Sequence, residues 1–320
     1  MHALKRKIAP WQLRTRTLEL GRRTLVMGIV NITPDSFSDG GRFIDPEAAV
    51  KHALKLLDEG AELLDLGAEI TRPGSRAGGV AGSAQAPAVS AWEEQARLLP
   101  VLEGILRERP AAVISVDTYK AATARAALKA GAEIVNDVSG FAWDPQMAAV
   151  CAGTGKGEGG PDMANPGVVL MHTRGRPEDW RTQLQLEPGE LLAQVRAGLA
   201  GSLKAAAAAG IPPQSVVLDP GYGFGKSFNE NYALLARQHE LLTLGRPLLA
   251  GVSRKSFLGH TLAPLHGGRD APANGRDAAS VAAMVAAILH GAAIVRVHAI
   301  RPAVEAALIA DAVLDGGGGL

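Results

Sequence analysis

"VMGIVNITPDSFSDGG", residues 26–41, starts as a buried strand and finishes as a segment no core would accept. Its apolar run ends at Val30. Asn31, Thr33, Asp35, Ser36, Phe37, Ser38 and Asp39 then arrive together around Pro34, closed by Gly40 and Gly41. The same change from apolar to polar recurs along the chain. TLVMGIVN (24–31), AELLDLGAE (61–69), AAVISVDT (111–118) and AEIVNDVS (132–139) are followed by GVVLMHT (167–173), SVVLDPG (215–221), RPLLAGVSRK (246–255) and AAIVRVHA (292–299). Each run is too short for a helix, and β-branched residues are common in them. Between them lie helical patterns. In DPEAAVKHALKLLDEG, Asp45 reads as N-cap, Pro46 as the first helical residue and Gly60 as the stop. WEEQARLLPVLEGILRE, AATARAALKAG, ELLAQVRAGLAGSLKAAAAAG, DAASVAAMVAAILHG and PAVEAALIADAVLDGG continue the alternation.

Strands alternating with helices in this way predict an α/β fold, a single (β/α)8 TIM barrel. A doubly wound open sheet is the alternative, but no G-x-G-x-x-G follows the first strand. RTLELGRRTLVMG (16–28) alternates and turns at Gly21, as an N-terminal β-hairpin leading into the first strand would. The expected organisation is one domain over 1–320 with its core at about 17–315. RPGSRAGGVAGSAQAPAVS (72–90) reads as a long loop after the second strand, suited to a lid. GTGKGEGGPDMANPG (153–167) precedes the fifth strand and reads as a decoration of the opposite face, and the tail DGGGGL as disordered.

The chain has 320 residues, 47% of them hydrophobic, enough for a full-sized core. A formal net charge of +1 gives no global field for nucleic acid or an anionic membrane. No apolar stretch is long and pure enough to span a bilayer, and the basic N-terminus lacks the apolar core of a secretory signal. One cysteine, Cys151, excludes an internal disulfide and fits a reducing cytoplasm. It sits in an Ala-rich helical pattern, where a small buried thiol is ordinary.

In such a barrel the chemistry lies at the C-terminal strand ends. The polar residues there are Asn31, Asp35, Glu69, Thr71, Arg72, Asp117, Asn136, Asp219, Lys255, Arg296 and His298. Arg254, Lys255, Arg296 and His298 make one side cationic, where barrels commonly hold phosphate. Asp117, Asn136 and Asp219 make the other side fit for a flat heterocycle with N–H donors and ring acceptors. Plainer roles stand beside these. Asp117 with Thr118 would also cap a helix, Asn136-Asp137 would also serve a turn, and His298 and His172 would also serve as structural histidines. Arg296 is harder to dismiss, because an apolar strand rarely carries an unpartnered charge. No metal cage is visible in the His and Cys spacing, though Asn31 and Asp35 would suit Mg²⁺ held mainly by phosphates. GYGFGK (221–226) suggests a phosphate loop by glycine content alone and lacks the spacing of one.

Together, MGIVNITPDSFSDGG, TRPGS, SVDT, NDVSG, LDPGYGFGK, SRKSFLG and RVH resemble, in order and position, the motifs of the dihydropteroate synthases, pterin-binding TIM-barrel enzymes of bacterial folate biosynthesis. The resemblance implies a cytoplasmic homodimer, sensitive to sulfonamides, that joins 6-hydroxymethyl-7,8-dihydropterin pyrophosphate to p-aminobenzoate with Mg²⁺. It implies that Asp117, Asn136, Asp219 and Lys255 hold the pterin. Asn31, which would also meet the metal, is joined by Thr71, Arg72, Arg296 and His298 around the pyrophosphate. Phe37, Thr71, Arg72, Pro73, Phe224, Lys255 and Ser256 would line the p-aminobenzoate pocket. The implied mechanism is dissociative, with Asp117 and Asp219 facing a pterin cation, Lys255 against the ring, and Asp35 on a flap that excludes water. Departures are Ala68 and Ile70 in AEITRPG, the long loop after Gly74, and Tyr119 where a smaller residue is common. A non-catalytic pterin-binding paralogue and a pterin-dependent methyltransferase domain are the other readings.

Overall fold

The computed structural model describes residues 6–33, 45–69, 71, 89–153 and 165–316. A short antiparallel hairpin, β1 (Ala9–Gln12) and β2 (Thr17–Leu20), precedes the barrel. Its turn lies between these strands, where Leu13 N–H donates to Arg16 O at 2.8 Å, and not at Gly21. Gly21 instead joins the hairpin to the barrel at φ +97°, where a Cβ would meet the Lys7 carbonyl at 2.4 Å.

The barrel strands are β3 (Leu25–Asn31), β4 (Leu63–Gly67), β5 (Val113–Asp117), β6 (Ile134–Asp137), β7 (Gly167–Met171), β8 (Val216–Asp219), β9 (Leu248–Ala250) and β10 (Ala292–Val297). They close in chain order, β10 pairing in parallel with β3. The intervening helices are α1 (Pro46–Asp58), α2 (Ala91–Glu108), α3 (Ala121–Lys129), α4 (Met147–Cys151), α5 (Pro188–Ala208), α6 (Phe228–Arg237), α7 (Ser256–Thr261) and α8 (Asp277–Leu289), with α9 (Ile300–Leu314) last. Asp45 caps α1 as expected, its side chain accepting from Glu47 N–H at 2.9 Å. The sequence patterns did not mark α6, yet Ser227 and Glu230 form a reciprocal capping box at its start, an S-x-x-E signal readable in the chain.

Strand periodicity divides the core in two. Met27, Leu63, Val113, Ile134, Val217 and Ile294 belong to one buried cluster with Trp11 and Leu20. Residues one step out of phase, such as Val26, Leu64, Ile114, Val135 and Val295, belong to the larger cluster beneath the helices. The hairpin therefore plugs the N-terminal end of the barrel, with Trp11 Nε1–H donating to Ser215 O at 2.9 Å. Followed toward the other end, the inner phase turns polar in six strands. Met27 leads to Asn31, Leu63 to Asp65, Val113 to Asp117, Ile134 to Asn136, Val217 to Asp219, and Ile294 to Arg296 and His298. Two-residue periodicity alone brings these side chains to one mouth.

Candidate active site

At the floor of that mouth lies Asp65, fully buried in mid-β4. Its Oδ2 accepts from Arg296 Nε at 2.6 Å and from Asn136 Nδ2 at 2.9 Å. A second arm of the guanidinium, Nη2, donates to Asp117 Oδ2 at 2.8 Å. The partner that a charge within β10 required is therefore a pair of carboxylates, which keep the guanidinium cationic against the cost of burial. Asp65 is not among the strand-end residues that the sequence marks. The signal was present, since AELLDLGAE carries an acid within an apolar strand.

Asp117 and Asn136 are register partners at the ends of β5 and β6. Capping of α3 does not involve Asp117: Ala121 N–H donates to Asp144 Oδ2 at 2.8 Å, and Lys120 N–H to Thr118 Oγ1 at 3.1 Å. Turn chemistry after β6 falls to Asp137, which accepts from the backbone N–H groups of Ser139 and Phe141, each at 2.8 Å. Asn136 is left to the mouth. Asp219 ends β8 and accepts from Gly221 N–H at 2.7 Å. Glycines flank both acids. A Cβ at Gly67 would lie 3.7 Å from Asp117 Oδ2, and one at Gly251 3.8 Å from Asp219 Oδ2. Their absence leaves flat space beside each carboxylate, room for the edge of a planar ring.

Lys255 Nζ stands 4.1 Å from the centroid of the Phe224 ring, a cation–π contact. Close approach is possible because residue 223 is glycine, at φ +82°, where a Cβ would meet Lys255 Cδ at 3.2 Å. Burial, then the Arg296 charge, lowers the Lys255 ammonium to about 8, with Asp219 and Asp117 opposing. Burial pushes the Asp117 carboxyl up to about 7 despite Arg296, with Asp65 adding to the rise. Asp219 is raised as well, again chiefly by burial. The site thus holds acids that are reluctant to ionise beside a lysine inclined to lose its proton, a pattern that a cationic or N–H-rich ligand would relieve.

His298 is held neutral. Burial, Arg296, Arg254 and Lys255 lower it to about 3. Ser253 Oγ accepts the His298 backbone N–H at 3.2 Å and lies 2.9 Å from Nδ1. When the hydroxyl donates to Nδ1, the ring proton sits on Nε2 as a donor.

Other polar residues of the mouth are spent elsewhere. Glu69 binds Lys120 and accepts from Tyr119 Oη at 3.1 Å, so the large Tyr119 braces the end of β4. Arg254 does not join the cationic group, because its fork pairs with Asp277 at 2.6 and 2.9 Å. The 221–226 loop is no phosphate cradle. Gly221 N–H serves Asp219, Gly223 N–H serves Asn231, and Lys226 is buried on the carbonyls of Gly221, His172 and Phe224. His172 is buried, with a pKa well below the ordinary value mainly because of that burial, and Cys151 is a buried thiol pushed strongly upward. Both are structural. Thr71 is half-buried and Ser256, the first residue of α7, is exposed. Asp35, Phe37, Ile70, Arg72 and Pro73 lie outside the described residues, as do most of 72–90 and 153–167 and the last residues of the tail. Among the described residues, no three His, Cys, Asp or Glu side chains gather as a metal cage. Asn31 is half-buried at the end of β3.

Known proteins resemble the chain over most of its length. The model of the family described as pterin binding enzyme matches residues 27–298. The Mycobacterium leprae dihydropteroate synthase is 41% identical over 300 residues, spanning 91% of this chain and 94% of that protein. A structure of the Yersinia pestis dihydropteroate synthase in a sulfonamide complex superposes with a TM-score of 0.80 at 37% identity, covering 96% of this chain and 99% of that one. The Xanthomonas albilineans dihydropteroate synthase with 4-aminobenzoic acid gives 0.79 at 39% identity, covering 96% and 98%. The chain belongs to the pterin-binding enzyme family and, within it, to the dihydropteroate synthases.

Proposed function

We propose that the chain condenses 6-hydroxymethyl-7,8-dihydropterin pyrophosphate with p-aminobenzoate, giving 7,8-dihydropteroate, pyrophosphate and a proton. The observation that carries this reading is the gathering, at one mouth, of Asp117, Asn136 and Asp219 with Lys255, Arg296 and His298, where Arg296 pairs directly with Asp117 and the two sets expected on opposite sides interleave. The acids and the amide accept from and donate to the edge of the pterin. Cleavage of the exocyclic C–O bond leaves positive charge on the methylene and ring, which Asp117 and Asp219 oppose at close range in a poorly hydrated site. Nη1 of Arg296 and, in the tautomer where Ser253 donates to Nδ1, the Nε2–H of His298 are assigned to the departing oxygens. Attack by the aryl amine then forms the C–N bond and releases one proton.

Phe224 and the aliphatic stem of Lys255 offer an apolar face for the p-aminobenzoate ring. Phe37, Thr71, Arg72, Pro73 and Ser256 complete that pocket in this proposal, and Asp35 belongs to the flap that excludes water. Asn31 fits Mg²⁺, an ion that takes few protein oxygens and keeps phosphate and water ligands. Bound there, Mg²⁺ would offset charge on the leaving pyrophosphate. A cytoplasmic homodimer is part of the proposal. It is supported by the lone reduced Cys151 and by Leu308, Ile309 and Val313, exposed together on α9. The test is incubation of the purified chain with both substrates and Mg²⁺, with dihydropteroate identified by mass. Competition by a sulfonamide against p-aminobenzoate is expected, and noncompetitive behaviour would mean that the two do not share a site.

A further inference from the structure

Between β9 and α7 the chain passes through one backbone conformation that ordinary residues avoid. Arg254 sits at φ +57°, one of two non-glycine residues at positive φ among those described. A side chain there is strained, and the next residue is Lys255. Three groups from a single turn of chain hold Arg254. Its backbone N–H donates to Ser280 Oγ at 2.8 Å. Its carbonyl accepts from Arg276 Nη1 at 2.9 Å. Its guanidinium fork takes both oxygens of Asp277. Ser280 and Arg276 are themselves joined, since Ser280 Oγ also donates to Arg276 O at 2.7 Å, and Arg276 Nε is fixed on Ala271 O at 2.7 Å. One residue earlier, Ser253 is tied to His298 on β10.

We propose that Asp277 is a positioning residue for the condensation, acting through Arg254. Its carboxylate anchors the Arg254 side chain so that the backbone keeps the left-handed turn, and that turn aims Lys255 over Phe224. The inference rests on the function proposed above for Lys255, but the clamp itself is a property of this fold. It makes a particular demand. Arg276 and Ser280 grip only backbone atoms, so a glycine at 254 would still be held and would enter the turn without strain. Asp277 is therefore needed only while residue 254 carries a side chain that opposes the turn.

The test is a double-mutant cycle with Asp277→Ala and Arg254→Gly, and with Arg254→Ala and Asp277→Asn as companions. Two readouts are taken: kcat and KM for p-aminobenzoate, and the pH dependence of Lys255 acetylation by acetic anhydride, mapped by peptide mass. The second needs no turnover. Lys255 is faced by Asp117, Asp219, Arg296, Lys226 and His298, all of which the variants leave in place. In the Arg254 background, Asp277→Ala should lower kcat/KM by about tenfold, and Lys255 should titrate closer to an ordinary lysine. In the Arg254→Gly background the same substitution should change either readout by less than about twofold. Arg254→Gly should also outperform Arg254→Ala, which loses the clamp and keeps the strain. Equal losses in both backgrounds, or no loss from Asp277→Ala or Asp277→Asn, would overturn the proposal. If the wild-type chain makes no dihydropteroate while the acetylation cycle behaves as stated, the clamp stands and the proposed function falls.

Discussion

Asp65 shows how much one buried carboxylate organises. It fixes the Asn136 amide and, through Arg296, the Asp117 carboxylate, so two groups proposed to face the pterin share one anchor. Replacing Asp65 with Ala leaves Arg296 half-partnered in the barrel floor. The expected stability loss is on the order of 3 kcal/mol, with pterin affinity reduced more than p-aminobenzoate affinity; denaturant melts and separate substrate titrations check both. Protonation sets a second expectation. Asp117 must be ionised to oppose the ring cation, so kcat/KM for the pterin substrate should rise through about pH 7. Lys255 must be protonated, so it should fall again through about pH 8. A pH profile flat from 5 to about 9 would contradict both assignments. The raised Asp117 also has a cost in the ligand-free protein. The unfolded chain releases that proton near 3.8 and the folded one near 7, so this group's contribution to stability falls as pH rises between them.

At the scale of elements, the closure of the barrel was legible because apolar strand runs and helical patterns alternate with little interruption. The strand ends marked Asp117, Asn136, Asp219 and Arg296 because polar and charged side chains seldom follow buried β-branched residues without purpose. Partners across strands were not legible. Nothing local says that Arg296 meets Asp65 more than 200 residues away, or that Arg254 is drawn off to Asp277. Helix α6 was missed although its capping box was written in the chain, and the hairpin turn was misplaced because Gly21 looks like a turn residue while serving as a joint. The hairpin is a structural plug, distant in role from the chemistry. Trp11→Ala should therefore cost about 3 kcal/mol and lower the melting temperature while leaving both KM values unchanged. A shift in KM would mean that the plug supports the mouth.

For the whole molecule, the barrel keeps its stability at the hairpin end and its chemistry at the other, and the exposed α9 face is free of both tasks. If the proposed homodimer forms through α9, Ile309→Glu should convert it to a monomer in sedimentation velocity without unfolding the barrel; an unchanged sedimentation coefficient would exclude α9 from the interface. The central claim is that one mouth both generates a pterin cation and guards it for an aryl amine. It is met most directly by measuring pyrophosphate release from the pterin pyrophosphate with Mg²⁺, with p-aminobenzoate present or omitted. The predicted result is release that requires p-aminobenzoate and falls by at least about a hundredfold in Lys255→Ala. Release that proceeds equally without p-aminobenzoate would mean the cation is lost to water, and no release despite pterin binding would leave a pterin-binding barrel that is not a synthase.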